Sequence, residues 1–415
     1  MDNEFKIYVY ADYLNFNNDL VGTINVSRQR GREFYSFEYS NEWLKKGTMA
    51  LDPDLQMFKG RQYLSDDKTI FGVFADSCPD RWGRRLMQRR EELRARKVEE
   101  KPRKLLESDY LLGVFDEARM GGLRFKTEIN GEFLSAEKEY AIPPWTSLRE
   151  LEHASIEYEK SENALSEKWL KQLLAPGSSL GGARPKATVV APDGSLWIAK
   201  FPSKHDDIDS GAWEMVVHEL ALKCGLNVPE AKTEKFSKLG TTFLVKRFDR
   251  DGDRRIHFSS AMTLLGKKDG QDASEGSSYL EMVSFIKANG SQPMRDMKEL
   301  WKRIVFSIAV SNTDDHFRNH GFILTKSGWA LSPMYDVNPD IYGEYLSLNI
   351  DEYQSDLSYE LAISVAQYYG ISQKEAKELV KGISEVVRDN WQSLAQKQKI
   401  GRPEIERMKG VFNKT

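Results

Sequence analysis

The stretch SNTDDHFRNHGF (311–322), followed by SPMYD (332–336), sets three polar residues, Asp314, Asn319 and Asp336, into a frame of regular structure. Before it, residues 300–310 read as a buried helix with Trp301, Ile304, Val305 and Ile308 on one face, ending at Ser311-Asn312. After it, Gly321 to Leu324 and Trp329 to Leu331 read as two short strands joined across Thr325-Lys326-Ser327-Gly328. Such a hairpin folds Asp336 back beside Asn319. A solvated loop acid is the ordinary reading of any one Asp. Three suitably typed residues, framed by a helix and a hairpin, weigh against it.

The rest of the chain has to supply a scaffold for these residues. At 415 residues it is long enough for two or three domains. Lys and Arg total 60 against 63 Asp and Glu, so a net charge of -3 gives no global pull towards nucleic acid or membrane. Cys78 and Cys224 are far apart and fit no zinc spacing, which suggests a reducing cytosol and two packing residues. The opening MDNEFKIYVYADYLNF has acids where a signal peptide would have bases, and no window reaches transmembrane length. A soluble, cytoplasmic protein is expected.

Strand signals crowd the first third, at Phe5 to Tyr10, Leu20 to Val26 and Glu33 to Tyr39. A charged helix from about Pro79 to Lys97, a short helix at Asp109 to Phe115 and a strand at Gly121 to Phe125 follow. Residues 135–146, with Pro143-Pro144, read as a linker, and Ser147 with Glu150 as a capping box restarting a helix. Beyond Arg250 helices dominate. Ser278 with Glu281 and Ser372 with Glu375 form capping boxes, and Gly290 and Gly370 sit where helices stop. The expectation is an α+β, two-lobed chain with a first domain over 1–145, a second over 146–250 and a helical one over 251–415.

An Asp followed five residues later by Asn, with a second Asp further on, is the order of the metal- and phosphate-handling residues in protein kinases. Upstream, SSLGGARPK (178–186) is a glycine-rich turn before the strand Thr188 to Ala191, and glycine lets backbone amides approach phosphate oxygens. Asp193-Gly194 then turns into a strand carrying Lys200 among Leu196, Trp197, Ile198 and Ala199. A lysine there either meets an anion or reaches solvent at the strand end. The helix Gly211 to Cys224 offers Glu214 and Glu219 as partners for Lys200; Glu214, early on the helix beside Trp213, is preferred. Thr242 to Phe248 reads as a crossover strand whose backbone around Val245, Lys246 and Arg247 suits an adenine edge, with apolar neighbours for the ring. No G-x-x-x-x-G-K-[ST] or strand-linked G-x-G-x-x-G occurs. His316 and His320 with Asp314 suggest zinc, but the Glu of H-E-x-x-H is missing. The arginines of 81–104 alternate with Glu91, Glu92, Glu99 and Glu100, as on an ion-paired solvent face. His257 reads as structural.

Taken in order, SDYLLGVF, GGLRF, SSLGGARPK, WIAKFPS, AWEMVVHELALKCGLNVPEA, FLVKRFDR, SNTDDHFRN and SPMYD resemble the HipA family of bacterial toxin kinases over most of the chain. The resemblance implies a variant of the Ser/Thr protein kinase fold with an added N-terminal subdomain, using ATP and Mg²⁺. It implies a protein substrate in the translation apparatus, such as an aminoacyl-tRNA synthetase. It also implies a HipB-like helix-turn-helix antitoxin, through which alone the kinase would meet DNA. By motif, Asp314 is the catalytic Asp, Asn319 and Asp336 are Mg²⁺ ligands, and Lys200 is the phosphate-binding lysine. The nucleotide-binding set adds Ser179, Gly181, Gly182, Ala183, Lys186, Glu214, Val245, Lys246, Arg247, Phe248 and His316. Ser179, next to Ser178, matches the autophosphorylated serine, and a phosphate there would repel ATP. Asp315 stands where the family usually has glycine, Arg318 where lysine is common, and FSSAM replaces an acidic pair. The rival readings are a small-molecule phosphotransferase and a non-catalytic co-repressor partner of a DNA-binding protein.

Overall fold

Alternating burial builds the first sheet of the computed structural model, which describes residues 3–65, 68–134, 142–160, 173, 182 and 184–412. Strands β1 (Asn3–Ala11), β2 (Asp19–Gln29), β3 (Arg32–Tyr39), β4 (Gln62–Tyr63) and β5 (Leu123–Lys126) form one antiparallel sheet in the order β4-β3-β2-β1-β5. Ile7 and Val9 on β1 and Tyr35, Phe37 and Tyr39 on β3 point into the core, as period-two alternation requires. Helices α1 (Arg81–Lys97), α2 (Glu107–Leu112) and α3 (Leu148–Lys160) follow the chain around it. The hairpin of β6 (Lys186–Val190) and β7 (Leu196–Lys200) turns at Gly194, whose φ of 83° favours glycine.

These elements belong to a unit made of Met1–Lys204 with Asp249–Ser259. Charge explains why the later segment joins it. Asp116, almost fully buried, takes Arg124 at 2.6 Å and Arg255 at 3.0 Å. Asp249, fully buried, accepts from Gly121 N at 2.8 Å and from Arg250 Nη1 at 2.6 Å. Buried carboxylates are stable only with such partners. The charges of α1 are ion-paired as expected, but not on a solvent face alone: Arg84 grips Glu107, and the buried Arg89 and Glu91 pair with Glu92 and Arg94.

The second unit comprises His205–Phe248 with Ser260–Thr415. Helix α4 (Ser210–Lys223) precedes the hairpin of β8 (Ala231–Glu234) and β9 (Thr242–Lys246). A Cβ on Gly211 would lie 2.0 Å from Thr241 O, so only glycine lets α4 approach that hairpin. Helices α5 (Tyr279–Asn289) and α6 (Pro293–Val310), the hairpin of β10 (Gly321–Thr325) and β11 (Gly328–Leu331), and helix α7 (Gln373–Lys397) complete the unit. Leu300, Trp301, Ile304, Val305 and Ile308 are all fully buried, and Trp301 Nε1 donates to Ala362 O at 2.8 Å. Among the described residues, no helix is long and apolar enough to cross a membrane.

Several boundaries differ from expectation for local reasons. Helix α6 starts at Pro293, because proline suits the first helical position and Asp296 accepts from Leu331 N at 2.9 Å. Helix α2 begins two residues early, since Asp109 turns back to accept from Leu106 N at 2.9 Å. Ser147 closes a 3-10 turn, Trp145–Ser147, ahead of α3 instead of capping it. Strand β9 stops at Lys246, before Phe248.

His257 stacks on Tyr13 at 4.7 Å, and burial pushes its pKa down to about 3 from 6.5. Between those values the unfolded chain binds a proton that the folded chain does not, so stability falls as pH drops through the window. His257→Phe should flatten that slope, read from urea midpoints at its two ends.

Candidate functional site

How α6 ends decides where the polar residues go. Ser311 takes a left-handed conformation, φ 50°, which costs a residue with a Cβ about 1–2 kcal/mol. Its hydroxyl donates to Val411 O at 3.1 Å, and Asn312 N donates to Ser307 O at 2.9 Å. Asn312 Oδ1 then accepts from Asn338 N at 3.2 Å, Ser311 O from Asp340 N at 2.9 Å, and Asp340 Oδ2 from Thr313 Oγ1 at 2.6 Å. The segment carrying Asp336 is thereby fastened to the helix end. From the other side, the β10–β11 hairpin returns the chain, and Tyr335 Oη donates to Arg318 O at 2.8 Å. Tyr335 and Arg318 are the chain neighbours of Asp336 and Asn319.

Within this frame the two adjacent aspartates have opposite environments. Asp314's side chain is 84% exposed, with His316 Nε2 3.6 Å away. Asp315's is 6% exposed. Its Oδ2 accepts from Tyr279 Oη at 2.6 Å and from Ser307 Oγ at 3.2 Å, while His320 Nε2 lies 2.9 Å from Oδ1. Burial raises this carboxyl, but His320 and the two hydroxyls outweigh it and hold the pKa below the usual carboxylate value. Asn319 Nδ2 donates to Asp314 O at 2.7 Å, and its buried Oδ1 has no hydrogen-bond partner among the described residues. Asp336 is half-buried in a left-handed conformation, φ 56°, and its Oδ1 accepts from Asn338 Nδ2 at 3.4 Å. Arg318 turns aside to Asp269 at 3.2 Å.

Other sequence-predicted residues of this unit sit as follows. Glu214 is buried on α4, whereas Glu219 pairs with Lys397 at 2.9 Å. Val245 and Lys246 are half-buried at the end of β9, with Lys246 N donating to Glu230 O at 2.8 Å. Arg247 is buried, and the Phe248 ring meets Tyr335 at 5.7 Å. In the first unit Lys186 and Lys200 stand directly opposite each other on β6 and β7, both buried. Opposite residues share a face, so two ammonium-bearing stems are brought together there. Lys186 Nζ lies 3.0 Å from Asp80 Oδ2, and Asp80 also accepts from Gly83 N at the start of α1. Gly182 has φ 94°, and a Cβ there would lie 3.1 Å from Lys186 Nζ. Ser178, Ser179, Gly181 and Ala183 lie outside the described residues. Burial raises both thiols, Cys78 and Cys224, to about 12, the opposite of an activated nucleophile.

Sequence reasoning passed over Tyr279, Ser307 and His320 as partners of Asp315, and Asp80 as the partner of Lys186. The first set had a signal: 315 and 320 repeat the five-residue step of 314 and 319. The second, separated by over a hundred residues, had none.

The family model described as HipA-like C-terminal domain matches residues 178–391, and that of the HipA N-terminal domain matches residues 14–107. A putative kinase of Haemophilus influenzae is 26% identical over 180 residues, covering 39% of this chain and 52% of that protein. The serine/threonine-protein kinase toxin HipA of Shewanella oneidensis is 26% identical over 223 residues, covering 45% and 50% respectively. The chain thus spans about half the length of the curated relatives it matches. Among solved structures, the complex of Shewanella oneidensis HipA and HipB with operator DNA aligns with a TM-score of 0.67 at 15% identity, over 98% of this chain and 95% of that one. This is a likeness of fold.

Asn312→Ala removes the side-chain bond from Nδ2 to Ser307 Oγ, at 3.3 Å, and the one that Oδ1 accepts from Asn338 N, and should lower stability by about 1–3 kcal/mol, measured as a shift of the urea midpoint.

Proposed function

The chain belongs to the HipA family, and on that premise we propose that it is an ATP- and Mg²⁺-dependent serine/threonine protein kinase. The observation that carries this reading is one loop holding an exposed Asp314 and an Asn319 whose buried Oδ1 has no hydrogen-bond partner among the described residues. In the proposed reaction a new bond forms between the acceptor hydroxyl oxygen and the γ-phosphorus. The bond to the bridging oxygen breaks and ADP leaves. Asp314 orients the hydroxyl and takes its proton.

The donor set fits a hard divalent cation: Asn319 Oδ1 and the Asp336 carboxylate are oxygen ligands, as Mg²⁺ prefers. Bound there, Mg²⁺ would neutralise charge on the phosphate oxygens. Lys200 is proposed as the phosphate-binding lysine. Lys186, on the same face of its hairpin, is proposed to add a second positive charge beside Gly182. His316 and the Val245–Phe248 segment complete the nucleotide-facing set, with Glu214 as the helix glutamate. Positioning and charge account for most of the catalysis in such a loose transition state.

The same reading makes a protein of the translation apparatus the substrate, with Ser179 or its neighbour Ser178 as the self-modified site. A HipB-like antitoxin is the proposed partner, as HipB is in the Shewanella oneidensis complex.

Incubation of the wild-type chain with ATP and Mg²⁺ should give a phosphate-sized gain in intact mass. Asp314→Ala should abolish that gain while leaving nucleotide affinity within about twofold of wild type; an equal gain in both proteins removes Asp314 from its role. Asp336→Ala should lose the Mg²⁺-dependent part of nucleotide binding, followed by calorimetry with and without the cation.

A further inference from the structure

We infer that Asp315 is a positioning residue, forming with His320 the second of two parallel cross-ties that aim Asp314 and Asn319; this rests on the reading of residues 311–322 as the catalytic loop. The first cross-tie runs from Asn319 Nδ2 to Asp314 O, at 2.7 Å. The second, one residue further along both sides, brings His320 Nε2 within 2.9 Å of Asp315 Oδ1, an ion-pair contact when the imidazole is protonated. The two contacts, one to a backbone carbonyl and one to a side-chain carboxylate, join the two sides of the loop at successive residues.

The second tie is also the one that is anchored. Asp315 Oδ2 takes Tyr279 Oη from the first turn of α5 and Ser307 Oγ from the last turn of α6. Tyr279 N in turn donates to Asn349 O at 3.0 Å, and His320 O accepts from Ala261 N at 2.8 Å. One carboxylate therefore binds the loop to two helices at once. A carboxylate suits the position. It has two acceptor oxygens for the three groups around it, whereas an amide would turn a donor towards one of them. Asp314's side chain is 84% exposed, and its backbone belongs to the loop that Asp315 fastens to the two helices.

The test uses the full chain and two variants, Asp315→Asn and Tyr279→Phe. Hydrogen exchange over residues 314–320 should accelerate about tenfold or more in both, with exchange in Pro293–Val310 unchanged. The kcat for phosphoryl transfer should fall about tenfold or more, with KM for ATP within about twofold, the split expected when alignment and not binding is lost. A purely structural role would lower stability without that split. Unchanged loop exchange in both variants, or faster exchange with wild-type kcat, overturns the inference. If Asp315→Asn does not fold, Tyr279→Phe, which removes one hydroxyl, decides alone. If the wild type transfers no phosphate, the kinase reading fails, while loop exchange still supports or overturns the cross-ties.

Discussion

A helix buried along most of its length must still satisfy its last carbonyls, and at the end of α6 that requirement shapes everything downstream. The groups available are the amides of Ser311 and Asn312, which fold back onto Ile308 and Ser307 and force Ser311 into its left-handed turn. The chain leaves that turn with Asn312, Thr313 and the two aspartates in fixed succession. Asn312 and Ser311 then collect Asn338 and Asp340 from a strand-return segment some twenty-five residues later. A local debt of hydrogen bonding thus becomes the join between two parts of the site.

The two adjacent aspartates show how one residue type meets two environments within a single loop. Asp315, out of water, would be costly as an isolated anion, and two hydroxyls and an imidazole surround it. Asp314, its immediate neighbour, has a side chain that is 84% exposed, with His316 Nε2 3.6 Å away. The same logic separates the two lysines and Asp80 in the first unit: a pair of cations facing each other needs a nearby acid, and the helix N-cap provides it.

Elements with a strong period were legible in the sequence. The β10–β11 hairpin, β1 to β3, α1 and α4 follow from alternation, helical spacing and turn residues. So did the capping box of Ser278 and Glu281, a purely local device. The first turns of α6 were not, because Met294, Arg295 and Lys298 face solvent and break the apolar period that announced its second half. Asp315's partners were hidden for another reason. Tyr279 and Ser307 come from helices whose approach is set by packing, and no spacing within the loop encodes it. The membership of Asp249–Ser259 in the first unit was equally hidden, since it depends on Asp116 and Gly121, more than a hundred residues upstream.

That last feature governs the order in which the chain can finish folding during synthesis. The five-stranded sheet is complete once Lys126 has emerged, yet Asp116 must wait with Arg124 until Arg255 arrives. Residues 205–248, made in between, belong to a unit that cannot close before the C-terminal helices exist. The first unit is therefore discontinuous in sequence: Arg255, a partner of buried Asp116, is made only after residues 205–248 of the other unit.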